Sequence, residues 1–336
     1  MVKKTGVLLV NLGTPDSPSV RDVRSYLFQF LNDKRVIDLP FIARKLLVNL
    51  IIVPFRAKGS SAIYKQLWTP EGSPIILYGN SVREALQKTL DENYFVHLAM
   101  RYKQPALPDV LKEMKKENYD EIIVLPLFPQ YASATTGSIQ EEVMRIVSSW
   151  WVIPELKFIN QYYDHPEFVN AWAEIGAKYH YEDYDHVIFS YHGLPLRQVD
   201  KVHLTGNCEV HKCVEELNEQ NKFCYQATCY ATTRLLADRL GISKDRYTVA
   251  FQSRLDKEWL EPFSDKVVIQ KAREGAKKLL IFSPAFTADC LETIVEIGIE
   301  YQEIFEKEGG EKVQLVESLN NHPRWIQCLK ELVLDS

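Results

Sequence analysis

No run of about 18 uninterrupted apolar residues occurs in the chain, so no segment has to cross a bilayer. Glycine and proline are few, 14 and 16 among 336 residues, which excludes fibrous and low-complexity architectures. Basic residues are not in excess. The 40 Lys and Arg meet 45 Asp and Glu for a net charge of −5, so nothing attracts nucleic acid phosphates globally and no nucleic acid partner is expected. The start, Met1-Val-Lys-Lys, is basic, but the apolar run that follows breaks at Asn11 with no small-residue cleavage site. Export is therefore disfavoured and a cytoplasmic location, peripheral to the inner membrane at most, is expected. Cysteine is also sparse. Four of the six lie between Cys208 and Cys229, which in a reducing compartment points to free thiols or metal ligands.

What is present is an ordinary aromatic-rich globular composition, 46% hydrophobic, in a chain more than twice the typical single-domain length of about 150. Short apolar runs bounded by turn residues alternate with longer amphipathic segments, the pattern of parallel strands joined by crossover helices. The spacing predicts strands at 6–12, 94–100, 120–127, 153–159, 184–191, 246–252, 277–283 and 312–317. It predicts helices at 19–31, 41–53, 60–67, 74–90, 107–117, 137–149, 166–179, 228–240, 266–275, 288–306 and 322–333.

The punctuation repeats. Val7-Leu-Leu-Val10, Gly13-Thr-Pro15, Leu125-Pro-Leu-Phe128 and His165-Pro-Glu-Phe-Val169 are followed, in the same order, by Val187-Ile-Phe189, Gly193-Leu-Pro195, Ser283-Pro-Ala-Phe286 and His322-Pro-Arg-Trp-Ile326. Pro126 to His165 is 39 positions and Pro284 to His322 is 38. The expected fold is α/β: two similar Rossmann-like lobes, 1–165 and 166–336, each a parallel sheet flanked by helices. A Cys-rich insert at 200–229 belongs to the second, and the final helix packs back on the first. The active cleft is expected between the lobes at the carboxyl ends of the strands.

His192 follows the apolar strand and precedes Gly193-Leu-Pro195. A lone histidine is more often structural than catalytic, but an imidazole at a strand's carboxyl end is placed to act as base or metal ligand near neutral pH. His165 and His322 precede prolines at helix starts and read as capping or packing residues. Asp289, Glu292, Glu296 and Glu300 recur at intervals of three, four and four, with no basic residue between 289 and 300. They are expected on one helix face, either as a solvated acidic surface or as a path of hard oxygen ligands for a divalent cation.

Four segments carry a resemblance: Val10-Asn-Leu-Gly-Thr-Pro15, Pro129-Gln-Tyr-Ala-Ser-Ala-Thr-Thr-Gly-Ser138, Ser190-Tyr-His-Gly-Leu-Pro195 and Phe286-Thr-Ala-Asp-Cys-Leu-Glu-Thr293. Each resembles a ferrochelatase motif, and the similarity extends from residue 6 to about 333. The resemblance implies an enzyme, a lyase of haem biosynthesis that inserts ferrous iron into protoporphyrin IX. It implies that His192 faces the macrocycle as proton acceptor or transient ligand and that Glu292 faces it from the other side. Asp289, Glu296 and Glu300 would continue a polar route for iron or protons. Around the ring it places Tyr131, the hydroxyl-rich stretch from Ser133 to Ser138, Arg101 for a propionate, Trp259 at the wall and Phe286 beside the metal. The apolar segment 40–53 corresponds to a lip over the porphyrin entrance, either a core helix or a membrane-touching surface. The alternatives are coproporphyrin as acceptor, another tetrapyrrole chelatase, or a two-lobed carrier that binds metal or haem without reacting.

Cys208, Cys213, Cys224 and Cys229 read Cys-x4-Cys-x10-Cys-x4-Cys. Since some ferrochelatases carry a 2Fe–2S cluster, the four thiols are expected to hold one, two to each iron. Structural zinc is the alternative, with His203 or His211 replacing a cysteine. Cys229 is the weakest of the four, because a cysteine before Ala231-Thr-Thr-Arg234 also occurs in relatives without a cluster.

Overall fold

A computed structural model describes residues 3–336. Two compact units divide the chain: Met1–Phe128, Ser133–Asn160 and Leu329–Ser336 form the first, and Pro129–Ala132 with Gln161–Cys328 form the second.

In the first unit β1 (Thr5–Gly13), β2 (Tyr94–Tyr102), β3 (Glu121–Pro126) and β4 (Glu155–Phe158) make a parallel sheet in the order β2-β1-β3-β4. β1 is a near-continuous apolar run because it is covered on both faces, and Val7 through Val10 are fully buried. One face packs Leu8 and Val10 against Leu107, Leu111, Ile139 and Val143 of the flanking helices. Gly13 ends β1 at φ 110°, and a Cβ there would stand 2.0 Å from the Tyr102 carbonyl oxygen, so only glycine closes this strand end.

The second unit repeats the plan with β5 (His186–His192), β6 (Tyr247–Gln252), β7 (Lys278–Phe282) and β8 (Lys312–Leu315), parallel and ordered β6-β5-β7-β8. In each unit the first strand is central, the second lies on one side, and the third and fourth on the other. That shared order is the structural counterpart of the repeated sequence punctuation. Ile188, Ala250, Leu279 and Ile281 pack on Val268, Ile297 and Phe305.

Two predicted helices differ in kind. The segments 41–53 and 60–67 form one continuous helix, Phe41–Leu67, whose turns widen to i→i+5 bonding over Leu47–Ile52 just before Pro54. Proline has no N–H and its ring crowds the carbonyl four residues back; the wide turn provides the room, so Pro54 does not end the helix. The acidic segment likewise forms wide turns over Leu291–Tyr301 before returning to α-helix at Gln302–Lys307. A short helix at Leu196–Asp200 was not predicted.

Candidate active site and metal centre

His192 is the last residue of β5, paired in register with Gln252, the last residue of β6. Its Nδ1 lies 2.6 Å from the Gly193 carbonyl oxygen. A carbonyl only accepts, so Nδ1 carries the ring hydrogen and Nε2 keeps an unshared lone pair. The imidazole centroid is 6.5 Å from the rings of both Trp259 and Phe286, which make an apolar surround. The Gly193 amide donates to the Gln252 carbonyl at 2.8 Å, and a Cβ at Gly193 would meet that same oxygen at 2.8 Å. The glycine is required by close approach of two backbones beside the histidine.

The wide helix Leu291–Tyr301 presents the acidic residues next to this strand end. Glu296 is held by four donors: Gln252 Nε2 at 3.1 Å, the Ser253 amide at 2.8 Å, the Tyr301 hydroxyl at 3.0 Å, and the Ser253 hydroxyl in a short contact. Gln252 also donates from Nε2 to the Glu292 backbone oxygen at 2.8 Å and receives the Ser190 hydroxyl at 2.7 Å. One buried amide thereby connects β5, β6 and the acidic helix. Ser253 adopts φ 60°, a left-handed turn that aims its amide and hydroxyl at one carboxylate. Gln252, Ser253 and Tyr301 were missed by the sequence reading; the usable signal was that Gln252 and Ser253 stand at the end of the strand neighbouring His192. Burial and the adjoining Glu296 carboxylate push the Tyr301 hydroxyl far up, so it stays protonated and donates to that carboxylate.

Glu292 is half-buried, within reach of the Cys290 thiol, whereas Glu300 is exposed at the outer end. Partial burial of its carboxylate and the neighbouring Glu296 and Glu303 raise the pKa of Glu300. Asp289 does not share their helix face. It precedes the helix and is buried, accepting from the Ser318 amide at 3.1 Å and Asn320 Nδ2 at 2.8 Å. Spacing placed it one turn before Glu292, but the helix starts at Leu291, and Asp289 instead fastens the 318–320 loop.

Tyr131 lies in the second unit, edge-on to Phe223 with ring centroids 6.0 Å apart. Arg101, Ser133 and Ser138 lie in the first unit. Arg101 donates to Ser138 Oγ and to Asp33, each at 2.8 Å, and Ser138 donates to Asp33 at 2.6 Å; Ser133 Oγ accepts from Arg35 at 2.9 Å. Burial opposes charge on Asp33, but Ser138, the Arg35 amide and Arg101 together hold its pKa below the usual range. Arg101 and Ser138 are thus tied into a charged, largely buried network. His165 accepts from the Glu167 amide at the start of helix Pro166–Ala177, the capping role expected of it.

In the cysteine-rich segment, one ligand atom each of His203, Cys208, Cys213 and Cys224 lies within 4.8 Å of the other three. Cys208 Sγ is 3.4 Å from both Cys224 Sγ and His203 Nε2, and Cys213 Sγ is 3.6 Å from His203 Nε2. Cys229 is not in this group. It sits one turn into helix Tyr225–Leu240, fully buried, where desolvation raises its thiol pKa well above the ordinary value. Cys229 lies five residues past Cys224, where the helix turns its side chain into the core. The structure thus brings together three thiols and one imidazole and leaves Cys229, one of the four expected thiols, outside the group; His211 stacks on His203 at 4.5 Å without joining it.

Residues 4–336 match the ferrochelatase family model. The chain is 41% identical over 340 residues to a ferrochelatase of Coxiella burnetii (strain CbuK_Q154), covering 99% of this chain and 94% of that one. It is 41% identical over 331 residues to a ferrochelatase of Legionella pneumophila (strain Lens), covering 98% of each. Among solved structures, SirB from Bacillus subtilis with Fe3+ is similar at a TM-score of 0.54 and 13% identity, covering 99% of this chain and 95% of that one, a likeness of fold. With a family match along nearly its whole length, the chain belongs to the ferrochelatase family.

Proposed function

We infer that this chain is a lyase that inserts ferrous iron into a porphyrin in haem biosynthesis, with protoporphyrin IX as the acceptor. The observation that carries the activity is the family match over residues 4–336 together with near-full-length relatives named ferrochelatase.

A free-base porphyrin carries two pyrrole N–H groups, and metal enters only as both protons leave. His192 supports the first requirement, a base: its Nε2 lone pair is held outward by the Nδ1 hydrogen bond and its surround is apolar. Glu292 supports the second, an oxygen ligand or further acceptor near the entering ion. Glu296, fixed by four donors, does not swing, and so acts as a positioning residue for Glu292 one turn away. Glu300, exposed and with a raised pKa, is suited to pass protons to solvent. Trp259 and Phe286 supply apolar contacts for the macrocycle. Arg101 and Ser138 contribute a rigid basic locus in the first unit, to which a propionate would have to bind without displacing Asp33.

Peripheral contact with a lipid surface is proposed for helix Phe41–Leu67. Phe41, Ile42, Leu46, Leu50, Ile51 and Phe55 are all more than half exposed along it.

The activity is tested by mixing protein, ferrous iron and porphyrin under anaerobic conditions and following the Soret band. Metallation of protoporphyrin faster than coproporphyrin supports the assignment. Porphyrin binding without accelerated metallation would replace it with the carrier reading.

A further inference from the structure

We propose that His203, Cys208, Cys213 and Cys224 form a closed mononuclear site for one tetrahedral Zn2+, which folds the cysteine-rich segment and takes no part in the iron insertion.

The first argument is geometric. With Zn–S of about 2.3 Å and Zn–N of about 2.0–2.1 Å, tetrahedral edges are about 3.8 Å for S···S and about 3.5 Å for N···S. The contacts of 3.4, 3.4 and 3.6 Å lie near those edges, and all four ligand atoms lie within 4.8 Å of one another, close enough to converge on one ion. A 2Fe–2S cluster assigns its ligands in pairs to two irons. The intervening metal–metal vector separates those pairs farther than the edges of a single-ion site.

The second argument is about what else holds the segment. Residues 201–224 contain no strand and no helix, and the buried residues among them are His203, Cys213, Asn221 and Cys224. Three of these four are proposed ligands. Of its aliphatic and aromatic residues Leu204, Val210, Val214 and Phe223 are exposed, and Val202 and Leu217 are only half-buried. Such a segment has no hydrocarbon core of its own. Asn221 fastens it partway, donating to the His211 and Glu216 carbonyl oxygens at 3.1 and 3.0 Å. A metal ion supplies the remaining fold energy in structures of this kind. Four protein ligands leave no open position, which makes the site structural.

The test uses full-length protein purified anaerobically from medium containing both iron and zinc, then passed through a mild chelator. The His192→Ala variant is prepared in parallel so that zinc held at the active site is not counted. About one zinc per chain is expected in both, with no acid-labile sulfide and no visible colour. Exchange with Co2+ should give the intense visible bands of a tetrahedral thiolate site. Cys229→Ser should retain the full zinc content, and His203→Ala should weaken zinc retention against a competing chelator at least tenfold. If His203→Ala does not fold, His203→Cys should fold, keep one zinc and shift the cobalt bands. Two irons with sulfide, no bound metal, or loss of metal on Cys229→Ser would each overturn the proposal. Porphyrin metallation measured on the same samples reports separately on the chelatase activity.

Discussion

His192 and Glu296 show two ways in which single residues are prepared for chemistry. The imidazole is oriented by one backbone carbonyl and left with a lone pair, whereas the carboxylate is immobilised by four donors. His192→Ala should reduce kcat by at least about a thousandfold, at the upper end of general-base effects, with porphyrin affinity changed only a few-fold because apolar walls hold the ring. Fluorescence quenching and the anaerobic Soret assay separate the two. Glu292→Gln should be nearly as severe, while Glu300→Gln should mainly raise KM for iron; equal losses at Glu292, Glu296 and Glu300 would reduce the stripe to an acidic surface. A different histidine governs acid stability. Burial lowers the pKa of His186 to about 4, well below the ordinary histidine value, and its Nε2 pairs with Thr248 Oγ1 at 2.9 Å. The folded state keeps it neutral while the unfolded chain protonates below about pH 6.5. Its contribution is therefore complete above pH 6.5 and is lost as pH falls toward 4, up to about 3 kcal/mol. Urea midpoints measured from pH 7 to pH 4 should fall less steeply for His186→Gln than for the unmutated protein; parallel curves would contradict the assignment.

At the scale of elements, the end of β5 is held closely against β6. Gly193→Ala would press a methyl against the Gln252 carbonyl oxygen, 2.8 Å away, and the only relief is to part β5 from β6. A loss of about 1–3 kcal/mol in stability is expected, together with a fall in kcat beyond what unfolding accounts for, because His192 moves with the strand end. Urea denaturation and kcat measured on the same preparation check both parts. The eight strands were legible because buried parallel strands read as short apolar runs, and the two sheets emerged from the repeat. Helix type was not legible. In an i→i+5 turn, residues four apart stay near one line, so Glu292, Glu296 and Glu300 satisfy either period. The helices expected at 41–53 and 60–67 are instead one, Phe41–Leu67, because the wide turn accommodates Pro54. Within the site, His192 was visible from its place after a strand. The holders of Glu296 were not, because Gln252 and Ser253 acquire meaning only through the pairing of β6 with β5. His203 lost its place to Cys229 for a similar reason: sequence spacing does not record that entering a helix at Tyr225 turns the next cysteine inward.

For the whole molecule, the duplicated sheet order raises the question of what distinguishes the units, and one distinction is where apolar surface remains exposed. The helix Phe41–Leu67 buries Val48, Val53 and Ala57 against Val23, Tyr26 and Leu27 of the first unit. Having one face committed to that core, it is not available to span a bilayer, although its length and composition would suffice. The opposite face exposes Phe41 at 65%, Leu50 at 64% and Phe55 at 79%, with exposed Arg56 and Lys58 beside them. On the proposed lipid contact, a helix so disposed would lie in the interface, its apolar face in the acyl boundary and its bases toward anionic headgroups. Each large side chain transferred from water contributes about 1.5–3 kcal/mol. Replacing two of them, Leu50→Glu with Phe55→Glu, should therefore weaken binding to vesicles of mixed neutral and anionic lipid by at least about a hundredfold. Arg56→Gln with Lys58→Gln should weaken it less, and the loss should disappear on neutral vesicles or in high salt, where headgroup attraction is absent or screened. Cosedimentation measures all four cases. Undiminished binding of the doubly acidic variant would remove this helix as the docking surface, and the exposed apolar face would then have to be covered by something other than lipid.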